Sequence, residues 1–173
     1  TSKKIITQLT TFPVPFSSGE ISQKICISSK SLSKLVKEEI IDEALKCHSQ
    51  GNISKAAKYY QFFLDKGFSD PIVLSNYGVL LKGLGKYDKA ISLFEQSIQL
   101  FPNSSAAYSN MGSLLNDLRK FKKAKIYGKK AVYLDPNSAV AHSILGSTLI
   151  NLGELQEALI LNQKAVSLNP NCA

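Results

Sequence analysis

The sequence predicts an all-α fold, a solenoid of stacked helix-turn-helix units, because three residue types recur with one spacing. Glycine, alanine and proline each return every 34 residues, and the three series keep a fixed phase. The series are Gly78, Gly112 and Gly146; Ala56, Ala90, Ala124 and Ala158; and Pro102, Pro136 and Pro170. A unit of two short helices cannot bury its apolar face alone, so neighbouring units must stack. Such a chain offers an extended surface rather than a pocket.

Each unit contains the signals of two helices and a turn. Setting position 1 at Lys37, Pro71, Ser105 and Ala139 aligns units 37–70, 71–104, 105–138 and 139–172 without a gap, after an irregular basic segment 1–36. Apolar or small residues at positions 4, 7, 8 and 11 form one face of the first helix. Position 15 is Gly51, Gly85 or Gly153, which suits a helix end with positive φ, but Arg119 takes this place in unit three. Proline at position 32 ends the second helix.

Small residues at positions 8 and 20 predict close packing between the two helices of a unit, because bulky side chains there would force the helices apart. The first unit departs from this pattern at three positions. Ala44 replaces glycine at position 8, Phe63 stands at position 27, which is usually small, and Phe68 replaces proline at position 32. That unit is expected to act as an altered N-terminal capping repeat. Gly128 and Asn162 replace the aromatic residue at position 24 of the last two units. We expect looser helix pairs there.

Composition limits the other classes of function. The chain has 173 residues, 44% of them hydrophobic and 20% charged, as in soluble folded proteins. We expect neither a membrane span nor a secretory signal. The three cysteines, Cys26, Cys47 and Cys172, are far apart and odd in number, which argues against a disulfide framework and a zinc site. A reducing, cytoplasmic location and the absence of a cofactor are therefore expected.

The net charge of +8 is concentrated in two segments, with +4 in residues 1–36 and +5 in residues 105–138. It does not follow a continuous groove, so nucleic acid is not the expected partner. Five lysines of unit three fall on one side of its second helix: Lys122, Lys123, Lys125, Lys129 and Lys130. A solvated outer face is the ordinary interpretation. Contact with a phosphate-rich ligand is the alternative.

The pattern of small residues at 8 and 20, glycine at 15, an aromatic at 24 and proline at 32 resembles the tetratricopeptide repeat over residues 37–172. The resemblance implies a right-handed superhelical solenoid of four repeats with a mostly irregular N-terminal tail. The run within residues 41–61 and the motif FPVPF at 12–16 are similar to a group of bacterial tetratricopeptide proteins. In that group the array is often the N-terminal part of a longer chain, sometimes fused to a sulfotransferase-like or glycosyltransferase-like domain.

In arrays of this kind the first helices line the concave side, where positions 2, 6, 9 and 13 share one face. We predict a peptide-binding groove along this stripe and the adjoining position 12. The candidate residues are Asn76, Val79, Lys82, Asn110, Ser113, Asn116, Asp117, Ile144, Ser147 and Asn151. Asn76 and Asn110 resemble the asparagine ladder of O-linked N-acetylglucosamine transferases, in which amides hold a peptide backbone. The ordinary alternative is that asparagine is simply a soluble groove residue.

Other binding and catalytic patterns are missing. The cations that form a carboxylate clamp in chaperone-binding relatives are absent, since position 5 is Ile41 or serine and position 2 has no lysine. Neither histidine, His48 or His142, has a visible partner for relay chemistry, so catalysis is not expected. We predict a protein-interaction scaffold that binds a peptide segment. The alternative is the substrate-recognition arm of a larger transferase-like protein. Self-association through Leu155, Leu159 and Val166 of an uncovered last repeat is a further expectation.

Overall fold

The computed structural model describes residues 29–169, with side chains described from residue 35 onward. This part of the chain contains eight α-helices and no strand. They are α1 (Ser29–Ser49), α2 (Ile53–Asp65), α3 (Pro71–Gly83), α4 (Tyr87–Leu100), α5 (Ser105–Asp117), α6 (Phe121–Leu134), α7 (Ala139–Asn151) and α8 (Leu155–Leu168). The FPVPF motif, Cys26, Pro170 and Cys172 lie outside the described residues.

The helices pack in consecutive antiparallel pairs, α1 with α2, α3 with α4, α5 with α6 and α7 with α8. Each pair also contacts the next through its second helix, so that α4 packs on α5 and α6 on α7. The first helices α3, α5 and α7 touch one another, whereas the second helices of successive pairs make little mutual contact. The array therefore curves with its first helices on the inner side. The predicted all-α solenoid is confirmed.

Helix α1 begins at Ser29, inside the segment that the sequence analysis expected to be irregular. That expectation is wrong for residues 29–36. These residues are rich in serine and lysine and precede the first repeated position, so the 34-residue spacing gave no signal for them. They contain no proline, and nothing in them prevents α1 from continuing toward the N-terminus.

The turn between the two helices of each unit needs a left-handed backbone, as position 15 predicted. Gly51, Gly85 and Gly153 have φ values of +72°, +71° and +79°. Arg119 takes the same conformation in unit three, with φ of +57°. A residue with a Cβ atom incurs a steric cost there that glycine avoids.

The first helices are more deeply buried than the sequence face indicated. Besides the predicted positions 4, 7, 8 and 11, positions 3 and 10 are also buried, as Val73 and Leu80 show in unit two. Each inner first helix is packed against its own second helix on one side and the preceding unit on the other. It therefore buries two faces, and only a narrow stripe remains for solvent or a ligand.

The glycines at position 8 bring the helices of each pair together in different ways. A Cβ atom on Gly78 would lie 2.3 Å from Cε1 of the buried Phe94 ring. On Gly112 it would lie 3.6 Å from the carbonyl oxygen of Ala124 and from the amide nitrogen of Gly128. With no side chain at Gly128, the backbones of α5 and α6 close up. In unit four, α7 and α8 are packed as closely, with the side chain of Asn162 against Gly146. The expectation of looser helix pairs in the last two units is therefore wrong.

The first unit keeps a dense aromatic core in place of the usual small residues. Phe63 is fully buried, and its ring centroid lies 5.4 Å from that of Phe68. Ala44 is also buried, as the small residue at position 8 requires. The substitutions in this unit change the shape of the core without exposing it.

Candidate functional site

The predicted groove runs along the inner first helices α3, α5 and α7. Every residue at positions 2, 6, 9 and 13 of these helices is at least partly exposed, while the flanking positions 3, 4, 10 and 11 are nearly all buried. Among the candidate residues, those that are partly exposed are Asn76, Lys82, Asn110, Ser113, Asn116 and Ile144, and those that are exposed are Val79, Asp117, Ser147 and Asn151. The ten candidates thus lie on one accessible face of three neighbouring helices.

The register of the three helices is set by equivalent N-caps. The carboxylate of Asp70 accepts a hydrogen bond from the amide of Ile72 at 2.9 Å, just before Pro71 at the first helical position. Ser104 and Ser138 cap α5 and α7 in the same way, each accepting from an amide three residues later. Because the caps recur every 34 residues, equivalent positions of the three helices face the same side.

Asn76 and Asn110 occupy position 6 of two adjacent first helices. Both side chains are partly exposed, and within residues 35–169 neither amide makes a hydrogen bond. Each amide can donate two hydrogen bonds and accept two. Ile144 takes the equivalent place in α7, so the pair of amides is followed by an apolar side chain.

Lys82 and Asn116, at position 12, connect successive units instead of facing the groove freely. The ammonium of Lys82 donates to Ser113 Oγ at 2.7 Å and lies 2.9 Å from Asp117 Oδ2. Asn116 Nδ2 donates to Thr148 Oγ1 at 2.8 Å. Sequence reasoning missed these bridges. The one signal was a polar or charged residue at position 12 with a possible partner 31 to 35 residues later.

The groove is electrically neutral apart from the Lys82–Asp117 pair, and one edge is apolar. At position 2, Ile72 is 52% and Val140 is 56% exposed, with Ala106 between them. At the opposite ends of these helices, position 13 is Gly83, Asp117 or Asn151, and Ser113 and Ser147 precede it at position 9. The groove therefore offers hydrogen-bonding groups beside a row of aliphatic side chains.

The histidines are used structurally. His142 Nδ1 donates to the carbonyl oxygen of Ser138 at 2.9 Å, and His48 Nδ1 lies 3.1 Å from the hydroxyl of Tyr60. Burial, with a smaller effect from Cys47, raises the pKa of Tyr60 to about 12. Among the described residues no group of three or more His, Cys, Asp or Glu side chains is placed to hold a metal ion. No described helix has the length and apolarity required to cross a bilayer.

Similar proteins share this architecture. A structure of MamA from Desulfovibrio magneticus RS-1 is 26% identical, with a TM-score of 0.66, and the match covers 78% of this chain and 76% of that one. A thermophilic protein from Thermus thermophilus, TTC0263, has a TM-score of 0.70 at 17% identity, covering 78% and 75%, which shows the fold alone. The first tetratricopeptide domain of Spaghetti (RPAP3), bound to the HSP90 peptide SRMEEVD, is 29% identical with a TM-score of 0.55, covering 58% and 80%.

Sequence comparison with protein families agrees with the structure. No curated protein sequence matches the chain significantly. Profiles of the tetratricopeptide repeat match residues 31–66, 71–104, 105–138 and 139–172. The first match begins within α1, six residues before the unit boundary that the sequence analysis chose. The chain belongs to the tetratricopeptide repeat family.

Proposed function

We propose that this array is a protein-interaction scaffold that binds an extended peptide segment in the groove of α3, α5 and α7. The observation that carries the proposal is the pair of amides on Asn76 and Asn110, partly exposed and without hydrogen-bond partners among the described residues. A peptide bond has one donor and one acceptor, and a side-chain amide can satisfy both. Two amides at equivalent positions of adjacent helices are suited to hold successive parts of one backbone.

The surroundings of the amides indicate the chemistry of the peptide. Ile72 and Val140 would cover aliphatic side chains along one edge, and burial of such side chains supplies most of the favourable free energy. The Spaghetti domain shows that a related repeat domain binds an acidic peptide. Here, however, Lys82 is paired with Asp117, and position 2 is isoleucine, alanine or valine. The groove therefore favours an uncharged segment with aliphatic residues.

An array of synthetic peptides of varied sequence tests this proposal. We expect the Asn76→Ala, Asn110→Ala double variant to weaken every bound peptide about thirtyfold, since the two lost amides are worth roughly 1 kcal/mol each. Gln96→Ala with Gln99→Ala, exposed on the outer helix α4, is the matched control and retains wild-type affinity. Affinities are measured by fluorescence anisotropy with the strongest peptides from the array.

Backbone recognition has a second consequence that separates it from side-chain recognition. Methylating the backbone nitrogens of a bound peptide removes its donors and should weaken it, though by less than the double variant does, because the peptide carbonyls can still accept hydrogen bonds from the amides. Equal binding of methylated and unmethylated peptides would contradict the proposal, as would a control variant that loses as much affinity as the asparagine variant.

The transferase-arm hypothesis and the cytoplasmic location stay predictions. The mass of the native protein decides the first, because a catalytic domain would add substantially to the chain. Fractionation of the source cells decides the second.

A further inference from the structure

The lysines of unit three do not act as one row. The ammonium of Lys125 contacts the carboxylate of Glu154, and Lys129 Nζ lies 3.9 Å from Glu157 Oε1. Both carboxylates belong to the next unit, so these two lysines help to join unit three to unit four. The sequence offered, as an alternative, a phosphate-binding face of five lysines along α6. Two of these five, Lys125 and Lys129, are instead engaged in the junction with unit four.

Of the five other cations of unit three, Lys130 lies farther along α6 and four lie close together in sequence. Arg119, Lys120, Lys122 and Lys123 are exposed, and within residues 35–169 none of them forms an ion pair. We call these four residues the basic tip. They lie on the turn between α5 and α6 and on the first turn of α6, which has no side-chain cap. The unpaired amides of that helix end add to the positive potential.

Arg119 has a strained backbone. Its backbone is left-handed, with φ of +57°, at the position where the other three units have glycine. A left-handed residue with a Cβ atom costs on the order of 1 kcal/mol or more. Glycine would remove this strain, and yet the tip retains an arginine. Strained residues of this kind cluster at binding sites.

The basic tip surrounds a depression with an apolar floor. The depression has a volume of about 500 Å³ and is lined by the four cations together with Phe121 and Leu152. The guanidinium carbon of Arg119 lies 5.9 Å from the centre of the Phe121 ring. The site thus combines a cationic rim with a surface on which an aliphatic or aromatic group can rest.

We propose that the basic tip binds an acidic peptide segment whose carboxylates pair with the four cations and whose apolar residue rests on Phe121 and Leu152. This site is separate from the groove of α3, α5 and α7 and does not depend on the function proposed for it. Charge complementarity identifies the partner as acidic, and the apolar floor identifies it as a peptide with a hydrophobic residue.

The surroundings of the basic tip argue against a long polyanion. Glu154 and Glu157 occupy, in unit four, the positions of Lys120 and Lys123. Toward unit four, a nucleic acid that followed the edge of the array would leave the cations of unit three and meet these carboxylates; toward unit two it would meet only Lys86 and Lys89, with Asp88 between them. Nucleic-acid affinity needs a row of phosphate contacts, whereas the basic tip spans only five consecutive residues. A short peptide matches that length.

The test uses the full chain and a fluorescent peptide in which glutamates flank a single leucine. We expect saturable binding at low salt that weakens as salt is added, because exposed charges are screened. The triple variant Arg119→Gly, Lys122→Gln, Lys123→Gln should bind about tenfold more weakly, since each exposed ion pair is worth less than about 1 kcal/mol. Lys86→Gln with Lys89→Gln, equivalent exposed positions of unit two, should retain wild-type affinity.

Four results would overturn the proposal. They are no binding of the peptide at low salt, equal losses in the triple variant and the unit-two control, unchanged binding when serine replaces the peptide's leucine, and tighter binding of oligothymidylate that displaces the peptide. The last result would identify a nucleic-acid site instead. Circular dichroism melts confirm that the variants are folded, and unchanged binding by Asn76→Ala, Asn110→Ala shows that the two sites are separate.

Discussion

Units two and three differ in what occupies the space beside the glycine at position 8 of the first helix. In unit two, Gly78 leaves space that the buried ring of Phe94 fills, and an added Cβ atom would lie 2.3 Å from that ring. In unit three, Gly112 faces Gly128, so position 24 supplies no side chain between the two helices and the backbones themselves approach. Glycine at position 8 is therefore required in unit two, where position 24 is Phe94, whereas unit three, with glycine at position 24, has room for a Cβ atom there.

Unit four is a third case, in which Asn162 takes the place of the ring. A Cβ atom on Gly146 would lie 2.2 Å from Asn162 Oδ1, but this side chain is only partly buried and can rotate away. Substituting each of the three glycines should therefore change the free energy of unfolding by a different amount.

Placing phenylalanine at position 24 of unit three, where unit two has Phe94, should strongly destabilise the protein. In Gly128→Phe the new Cβ atom alone would lie 3.1 Å from Cδ1 of the buried Leu145, and the ring beyond it has no space. We expect the free energy of unfolding to fall by about 3 kcal/mol, measured by urea denaturation. Ile126→Phe is the control, because this residue of α6 is 68% exposed and should change stability little. A stabilising Gly128→Phe would show that α5 and α6 leave a gap.

The substitutions Gly78→Ala and Gly112→Ala should have opposite signs. The first pushes against Phe94 and should cost about 2 kcal/mol. The second meets only ordinary contacts, the nearest being Ile144 Cγ2 at 3.4 Å, and should gain about 0.5 to 1 kcal/mol because alanine favours a helix interior over glycine. Thermal melts of both variants check this. Similar changes in both would refute the distinction between the two units.

Alkaline pH should weaken the interface between units one and two. Tyr60 is buried beside Tyr77, with ring centroids 5.7 Å apart, and its pKa is raised from 10.0 to about 12. Above pH 10 the unfolded chain loses this proton while the folded chain keeps it, so the free energy of unfolding decreases as pH rises toward 12. Tyr60→Phe should make that decrease shallower in urea titrations, and the exposed control Tyr133→Phe should not. Parallel slopes for wild type and Tyr60→Phe would contradict the assignment.

The polar bridge between units two and three should contribute least. Lys82→Met removes the contacts with Ser113, which is half-buried, and with Asp117, whose side chain is 47% exposed. We expect a loss below about 1 kcal/mol at low salt, and less at high salt. Lys86→Met, an exposed residue of the next turn, provides the comparison in the same denaturation experiment. A loss of several kcal/mol would show that the bridge dominates the junction.

The periodic positions made the fold predictable, whereas the contacts between units did not follow from them. The spacing of Gly78, Gly112 and Gly146 fixed the helix pairs, and glycine at position 15 fixed the turns. The start of α1 was missed because residues 29–36 have no repeated counterpart, and the close approach at Gly128 was missed because a missing side chain was interpreted as loose packing. Packing between backbones depends on distance, which residue identity alone does not give.

The sequence predicted which positions of the candidate groove are exposed, but not which of its side chains are already paired with the next unit. Exposure at positions 2, 6, 9 and 13 follows directly from helix periodicity. The pairing of Lys82 with Asp117 and of Asn116 with Thr148 depends on the rotation of one unit against the next, which the sequence pattern leaves open. Likewise, five lysines of one helix could not be divided into paired and unpaired groups before Glu154 and Glu157 were located.

Site-specific photo-cross-linking tests most directly whether the inner first helices bind a peptide segment. A benzophenone amino acid is placed at position 147 in the groove or at position 96 on the outer helix α4, and each protein is irradiated with the tightest peptide from the array. We expect a cross-linked product from position 147 and none from position 96. Cross-linking from position 96 alone, or equally from both positions, would contradict this expectation.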